Sequence, residues 1–416
     1  MKLATMWWVP LYLIFIPVCT VLFLRYLNRP YNAPLYGVYQ QRNKLYRIKF
    51  LLMYSLLKVR QWITRTKRAY AVESGKSCDG TIEVHREDEA LEQKFYFGDY
   101  PKGVDAVYFN GVSSDGDAVI CGFARRPQQV CDAFIYIKLN GEELLLSPKL
   151  PDTYHQQDAR EAGDYKIGGL TIANFIPMRT WKLTYNGEMN IRNNLEKKVK
   201  VDAQLTWSAL WAPFNYDFQL SPRSMAESLA KEPWSREYFK RLEQAHQSHY
   251  EQMGSLKGTI TVDDKEHYIR IPCVRDHSFG KFRDWSTFHR YVLHFIFLDN
   301  GDSMAIGTVS QPGVLSHLTI GYVCRKSDQA VVPVDSCDFH LYQHGENQVM
   351  PKDYGFTFTT KRVQHTVRVQ VEDETVFYIG KTRESKIYER WAAVEINGVK
   401  GRACLEWQYN NIKKSE

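Results

Sequence analysis

The chain has 416 residues, 44% of them apolar and 14% aromatic, which is enough for two or three domains with real cores and too apolar for a disordered protein. Its net charge of +7 is unevenly placed: residues 1–72 hold 12 Lys and Arg and no Asp or Glu, so the remaining body carries −5. A basic terminal arm on a mildly acidic body argues against a nucleic-acid-binding domain, whose positive stripe would lie on the folded surface, and suits contact with an anionic membrane.

The first element in chain order is "LATMWWVPLYLIFIPVCTVLFL", residues 3–24, which carries no charge. About 19 helical residues approach the ~30 Å hydrocarbon thickness, and Trp7 and Trp8 stand where interfacial aromatics are found. The following "RYLNRPYNAP" offers no small-residue cleavage site, so the stretch reads as a retained single-pass anchor over 1–30 rather than a signal peptide. Basic residues cluster on its C-terminal side and place the body in the cytosol. Two features agree: no Asn-x-Ser/Thr acceptor occurs, and Cys78, Cys121, Cys131, Cys273, Cys324, Cys337 and Cys404 are odd in number with no CxxC, as expected of reduced thiols. Within a basic juxtamembrane segment, 31–72, residues 42–68 place Leu45, Ile48, Leu52, Leu56, Val59 and Ile63 at helical spacing. That helix lies either on a bilayer or on the protein's own body.

From residue 73 the texture changes to short alternating runs such as "GTITV", "YIRIP" and "TVRVQVED", punctuated by "YNGE", "LNGEE" and "INGV". This is antiparallel hairpin grammar and predicts a mainly β protein. One interruption, 216–254, contains helix formers, an N-cap-like Ser235 and Gly254 as a stop, and predicts a helical linker. It divides the body into a first barrel over 73–215 and a second over 255–416. The halves look duplicated: Gly116/Gly301, Asp117/Asp302, Gly122/Gly307 and Pro127/Pro312 recur at one offset of 185.

The densest chemistry is "RDHSFGKFRDW", Arg275–Trp285. Stepped back by 185 residues it meets "ALEQKFYFGDY", which keeps only the aromatic texture, so its charge belongs to the second half of the chain. His277 oriented by Asp276 would make a proton donor, with Asp284 guiding water. The alternative is a satisfied ion-pair cluster of Arg275, Asp276 and His277 that closes a barrel. Phe279, Phe282, Trp285 and Phe288 line an apolar pocket or belong to an ordinary core. Glu243, His246 and His249 have metal-ligand spacing on a helix, but no fourth ligand is evident, so neither a metal nor a cofactor is expected. No G-x-S-x-G, Walker A or H-E-x-x-H motif occurs.

"YEQMGSLKGTITV", "RDHSFGKFRDW" and "FIFLDNGD" together resemble the second half of the tandem lipocalin-like proteins. That group includes AttH, the carotenoid 1,2-hydratases and the yeast survival-factor proteins. "VDAVYFNGVSSDGDAVICGFARRP" resembles the first half of a branch known as domains of unknown function. The resemblance spans roughly 80–410 and implies two antiparallel barrels with an apolar cavity or an inter-barrel cleft for a lipid or isoprenoid. In the hydratases a D-H-x-W-G segment supplies an acid-catalytic histidine; here His277 matches it, Asp276 precedes it, and Phe279 stands in the tryptophan's place. Asp299 and Asp302 are both open matches for a further family acid. The expected function is binding or transfer of a hydrophobic ligand, with Arg275, Phe279, Asp284 and Trp285 contacting it. The alternative is hydration or isomerisation of a lipid or isoprenoid double bond by His277.

Overall fold

The computed structural model describes residues 8–27, 30–73 and 86–412. The N-terminal region forms two helices, α1 (Trp8–Leu27) and α2 (Tyr46–Glu73). Among the described residues no helix is long and apolar enough to cross a membrane. α1 contains Pro17 and carries Arg25 in its last turn. The expectation of a single-pass membrane protein anchored by residues 3–24 is overturned by this finding, and residues 3–7 of that stretch lie outside the described residues. The cytosolic placement of the body, which rested on charges flanking the anchor, falls with it. Cys78 also lies outside the described residues, and the other cysteines are free thiols.

The basic segment 42–68 lies largely in α2, which rests on the protein itself. Its partner is α3 (Pro222–Lys231), a helix of the linker. Lys49 is buried there, donating to the Glu232 carbonyl at 2.7 Å with its ammonium 5.2 Å from the Trp234 ring centre. The opposite face of α2 exposes Ile48, Leu52, Leu56, Val59 and Trp62.

The linker departs from a single helix ending at Gly254. α3 is followed by α4 (Arg236–Gln244), capped by the Ser235 hydroxyl, which accepts from the Tyr238 amide at 3.0 Å. By Ser248 the chain is already a strand. Gly254 is glycine for a different reason: a Cβ there would lie 2.4 Å from the Ser208 carbonyl oxygen. Close backbone approach between strands, not a helix stop, sets that residue.

Eight strands form the first barrel: β1 (Val104–Val112), β2 (Ala118–Arg125), β3 (Val130–Lys138), β4 (Leu145–Leu146), β5 (Thr180–Ile191), β6 (Asn194–Ala209), β7 (Ser248–Val262) and β8 (Lys265–Gly280). Each pairs antiparallel with the next, and β8 returns to β1, so the ring closes. The two strands after the linker therefore complete the first sheet, and the expected boundary at residue 255 falls inside β7.

The second sheet contains β9 (Arg290–Leu298), β10 (Ser303–Gln311), β11 (Leu315–Arg325), β12 (Ala330–Pro333), β13 (Ser336–Cys337), β14 (Asp353–Thr360), β15 (Val363–Ile379), β16 (Ser385–Ile396) and β17 (Val399–Asn410). β17 pairs back with β9. Between β12 and β13 the Val334 amide donates to Gly321 and the Asp335 amide to Thr359, joining the two ends of the sheet. The hairpin at Asn397-Gly398 has φ of 50° and 86°, the left-handed pair that a type I′ turn requires.

The duplication extends to register. Tyr108 of β1 faces Gly122 of β2, and Leu293 of β9 faces Gly307 of β10, both shifted by the same 185 residues. Tyr108 also faces Asp276 of β8, whereas Leu293 faces Glu406 of β17. The spatial counterpart of the "RDH" triplet is thus Leu405, Glu406 and Trp407, far from the stretch that a constant offset selects.

Three apolar cores hold these sheets. Phe109, Trp181, Trp207 and Ile260 fill the first barrel; Ile296, Phe356 and Trp407 fill the second; Phe134, Phe295, Tyr322, Phe377 and Trp391 pack between them. The second core also buries His294, which donates from Nδ1 to the Ile306 carbonyl at 3.1 Å and accepts at Nε2 from the Tyr354 hydroxyl at 2.9 Å. Burial, with smaller contributions from His344 and Arg390, pushes its pKa down to about 3. A neutral histidine in the fold contributes stability above the unfolded pKa of about 6.5 that is lost as pH falls towards 3. The expected cost at pH 5 is up to about 2 kcal/mol relative to pH 7. Urea unfolding at the two pH values should show a smaller difference for His294→Gln than for the native chain.

Candidate functional site

Side chains alternate along a strand, and β8 borders both the first barrel's interior and the space between barrels. Arg275 and His277 point inward, and Asp276 points to the inter-barrel side. Arg275 is fully buried, with Nη2 2.8 Å from Glu92 and from the Gln252 side-chain oxygen, and its guanidinium 5.1–5.3 Å from the ring centres of Trp181, Trp207 and Tyr250. His277 is equally buried, its Nε2 2.8 Å from Asp105 and its Nδ1 2.8 Å from the Tyr250 hydroxyl. A carboxylate only accepts, so Nε2 donates to Asp105. Burial opposes ionisation of Asp105, but His277, Arg125 and Tyr165 outweigh it and hold the carboxyl below its usual range.

Phe279 packs on His277 and Phe95, with ring centres 5.1 and 5.8 Å away. Asp284 caps the turn Trp285–Thr287 by accepting from the Ser286 amide at 2.9 Å, and it pairs with Lys102. Of the residues expected at the site, Asp276 and Trp285 reach the cavity between the barrels, while Arg275, His277, Phe279 and Asp284 are not among its lining residues.

That cavity measures about 610 Å³. Leu293 and Phe295 of β9 and Phe134 of β3 make its apolar walls, and Met53 and Leu57 of α2 roof it. Its polar end gathers His249 of β7, Asp276 of β8, Tyr291 of β9 and Glu406 of β17.

Two carboxyl pairs stand at that end, one from each barrel, with Glu251, Glu389 and Glu406 buried and Asp276 half-buried. Glu251 of β7 faces Asp276 of β8, and Glu389 of β16 faces Glu406 of β17. His249 Nε2 lies 2.5 Å from Asp276 Oδ2 and 3.5 Å from Glu251 Oε1, and its ring stacks on Tyr216 at 4.5 Å. Burial opposes charge on both His249 and Asp276, yet each holds the other ionised: the histidine's pKa is raised and the aspartate's lowered. Glu251 is wholly buried and accepts no hydrogen bond, and burial pushes its carboxyl up to about 7. Glu406 accepts from the Tyr291 hydroxyl, and burial likewise raises it to about 7. Glu389 accepts from Tyr108 at 2.7 Å and Asn110 at 3.1 Å, and burial raises it further.

A metal would find donors here: His249, Glu251 and Asp276 each present a ligand atom within 4.8 Å of the others. The expected Glu243, His246 and His249 trio is dispersed instead. Glu243 belongs to α4, His246 lies past its end with Nε2 2.9 Å from Asp217, and His249 belongs to a strand. Glu251, Glu389, Glu406 and Tyr291 were not singled out from sequence. Their signal is acids at alternate positions in otherwise apolar strands, as in "HYEQM" and "CLEWQY".

Two antiparallel β sheets, the first a closed ring with the helical segment inserted between its β6 and β7, make a tandem lipocalin-like fold. A crystal structure assigned to AttH from Nitrosomonas europaea has this fold, with a TM-score of 0.52 at 10% identity over 80% of this chain and 98% of that one. CghA (TM-score 0.43, 11% identity, 76% of this chain and 90% of that one) and kievitone hydratase from Nectria haematococca (0.42, 12%, 77% and 94%) are also similar. Identities this low speak to fold alone. Over residues 14–409 the chain belongs to a family of unknown function, DUF8627. No curated protein matches its sequence.

His277→Ala would leave Asp105 with a lost partner inside a packed barrel. The expected outcome is a loss of about 3 kcal/mol of unfolding free energy, measured by chemical denaturation, with the cavity's ligand content unchanged.

Proposed function

We propose that the protein binds an apolar small molecule of the lipid or isoprenoid class between its barrels and transfers a proton to one of its double bonds. The observation that carries this reading is an apolar cavity whose polar end presents Glu406, a dry carboxyl hydrogen-bonded by Tyr291. A carboxylic acid kept neutral by burial is a competent proton donor near pH 7. Protonating an alkene carbon leaves a carbocation and the Glu406 carboxylate. Return of a proton from the adjacent carbon to that carboxylate gives an isomer; addition of water to the cation and transfer of the added water's extra proton to the same carboxylate gives an alcohol, and either route restores the Glu406 acid. The low-dielectric surroundings strengthen every charge interaction along this path.

The donor is placed at Glu406 rather than at His277 because both His277 ring nitrogens are engaged and its ring lies inside a filled barrel. Binding without turnover is the second reading, and it is favoured by α2, which covers the cavity as a cap retaining a ligand would.

The test begins with solvent extraction and mass spectrometry of the folded native chain and of Glu406→Gln, followed by incubation with the extracted compound. Expected are the same bound species in both proteins and a fall in turnover of at least about 100-fold in the variant. Equal turnover would remove Glu406 from the chemistry. A ligand that neither protein converts would support the carrier, and a folded chain with no extractable ligand would sink both readings.

A further inference from the structure

We propose that His249, Glu251 and Asp276 form a binding site for one divalent first-row transition-metal ion at the polar end of the inter-barrel cavity. The strands dictate this grouping. His249 and Glu251 are two residues apart on β7 and so share a face, and Asp276 lies directly opposite Glu251 on β8. Each supplies one donor atom, all within 4.8 Å of one another. His249 Nε2 already lies 2.5 Å from Asp276 and 3.5 Å from Glu251, on the scale of the ~3 Å separation between ligands of one ion.

The independent evidence is Glu251. It is wholly buried, it looks across the ladder at a second carboxyl, and neither of its oxygens accepts a hydrogen bond. The hydroxyls of Tyr216 and Tyr322 face it and favour its ionised form, but neither reaches full hydrogen-bond geometry, and both hydroxyls are left without another partner. Like charges directly opposite in a sheet repel, and an unpaired buried carboxylate costs several kcal/mol. Such an arrangement calls for a proton or a cation.

The second barrel shows what a pair served by hydrogen bonds looks like. Glu389 receives Tyr108 and Asn110, and Glu406 receives Tyr291. At the equivalent place in the first barrel, Glu251 closes no full hydrogen bond, and an imidazole has been added in reach of both acids. Duplicated scaffolds have diverged here in the direction of ligation. One nitrogen and two carboxylates suit manganese, iron, cobalt or zinc and not calcium or magnesium, which prefer all-oxygen sets. Stacking on Tyr216 fixes the imidazole plane, and the cavity leaves coordination positions open to water or a ligand.

This inference goes beyond the proton-transfer reading and does not rest on it. The experiment uses tag-free full-length protein, stripped with chelator and titrated calorimetrically with Zn²⁺ or Mn²⁺ alone, with Mg²⁺ in parallel and melting followed by circular dichroism. Expected are one equivalent of Zn²⁺ or Mn²⁺ bound, a rise in Tm, and no response to Mg²⁺. Glu251→Gln removes the repulsion while keeping the shape, so it should melt at or above the metal-free native protein and yet bind the ion more than about 100-fold more weakly. Asp276→Asn should lose binding similarly, and Glu389→Gln should retain it. Folded native protein that binds no ion overturns the site, as does Glu251→Gln binding as tightly as native. Glu406→Gln binding metal normally while losing turnover separates this site from the proposed proton donor.

Discussion

Alternation along β8 is the constraint from which the site follows. A strand places neighbours on opposite faces, and β8 is wedged between a filled barrel and a cleft. Arg275 and His277 are therefore committed to the interior, where three aromatic rings and a chain of carboxylates surround them. Asp276, between them in sequence, is committed to the cleft. A triplet that looks like one cluster is two, separated by the thickness of a sheet.

Filled interiors have a second effect. Trp181 and Trp207 in the first barrel and Trp407 in the second are wholly or almost wholly buried, and the open space lies between the sheets. The four acids behind that space come from equivalent strands of the two barrels, so duplication alone brings them together. What differs is their company. The second-barrel pair is served by full hydrogen bonds from hydroxyl and amide donors, and the first-barrel pair by a histidine and two tyrosine hydroxyls that close no full hydrogen bond to Glu251.

Much of the fold was legible because hairpins advertise themselves: alternating runs, Asn-Gly turns and glycines repeated at a fixed offset all report local geometry. The mainly β class and the tandem resemblance follow from those signals. The N-terminal apolar run was weighed by composition, and it does not make a membrane-crossing helix among the described residues. Residues 248–254 carry histidine, glutamate and glutamine, which are good helix formers or neutral, and only their pairing with β8 makes them a strand. The constant offset could not find the counterpart of Asp276, because β8 closes the first barrel while the matching strand β17 comes last in the chain. Glu406 was hidden because its meaning lies in Tyr291, on a strand more than a hundred residues earlier, not in its sequence neighbours.

The late arrival of β8 bears on how the molecule is made. While the ribosome is still producing the linker, β1 and β6 present bare edges to the cell, since the hairpin that covers both ends only at Gly280. Exposed edges of this kind invite pairing with other chains. The first half must therefore wait, partly open, for sequence that lies beyond the linker, and it cannot be excised as a finished unit at the linker.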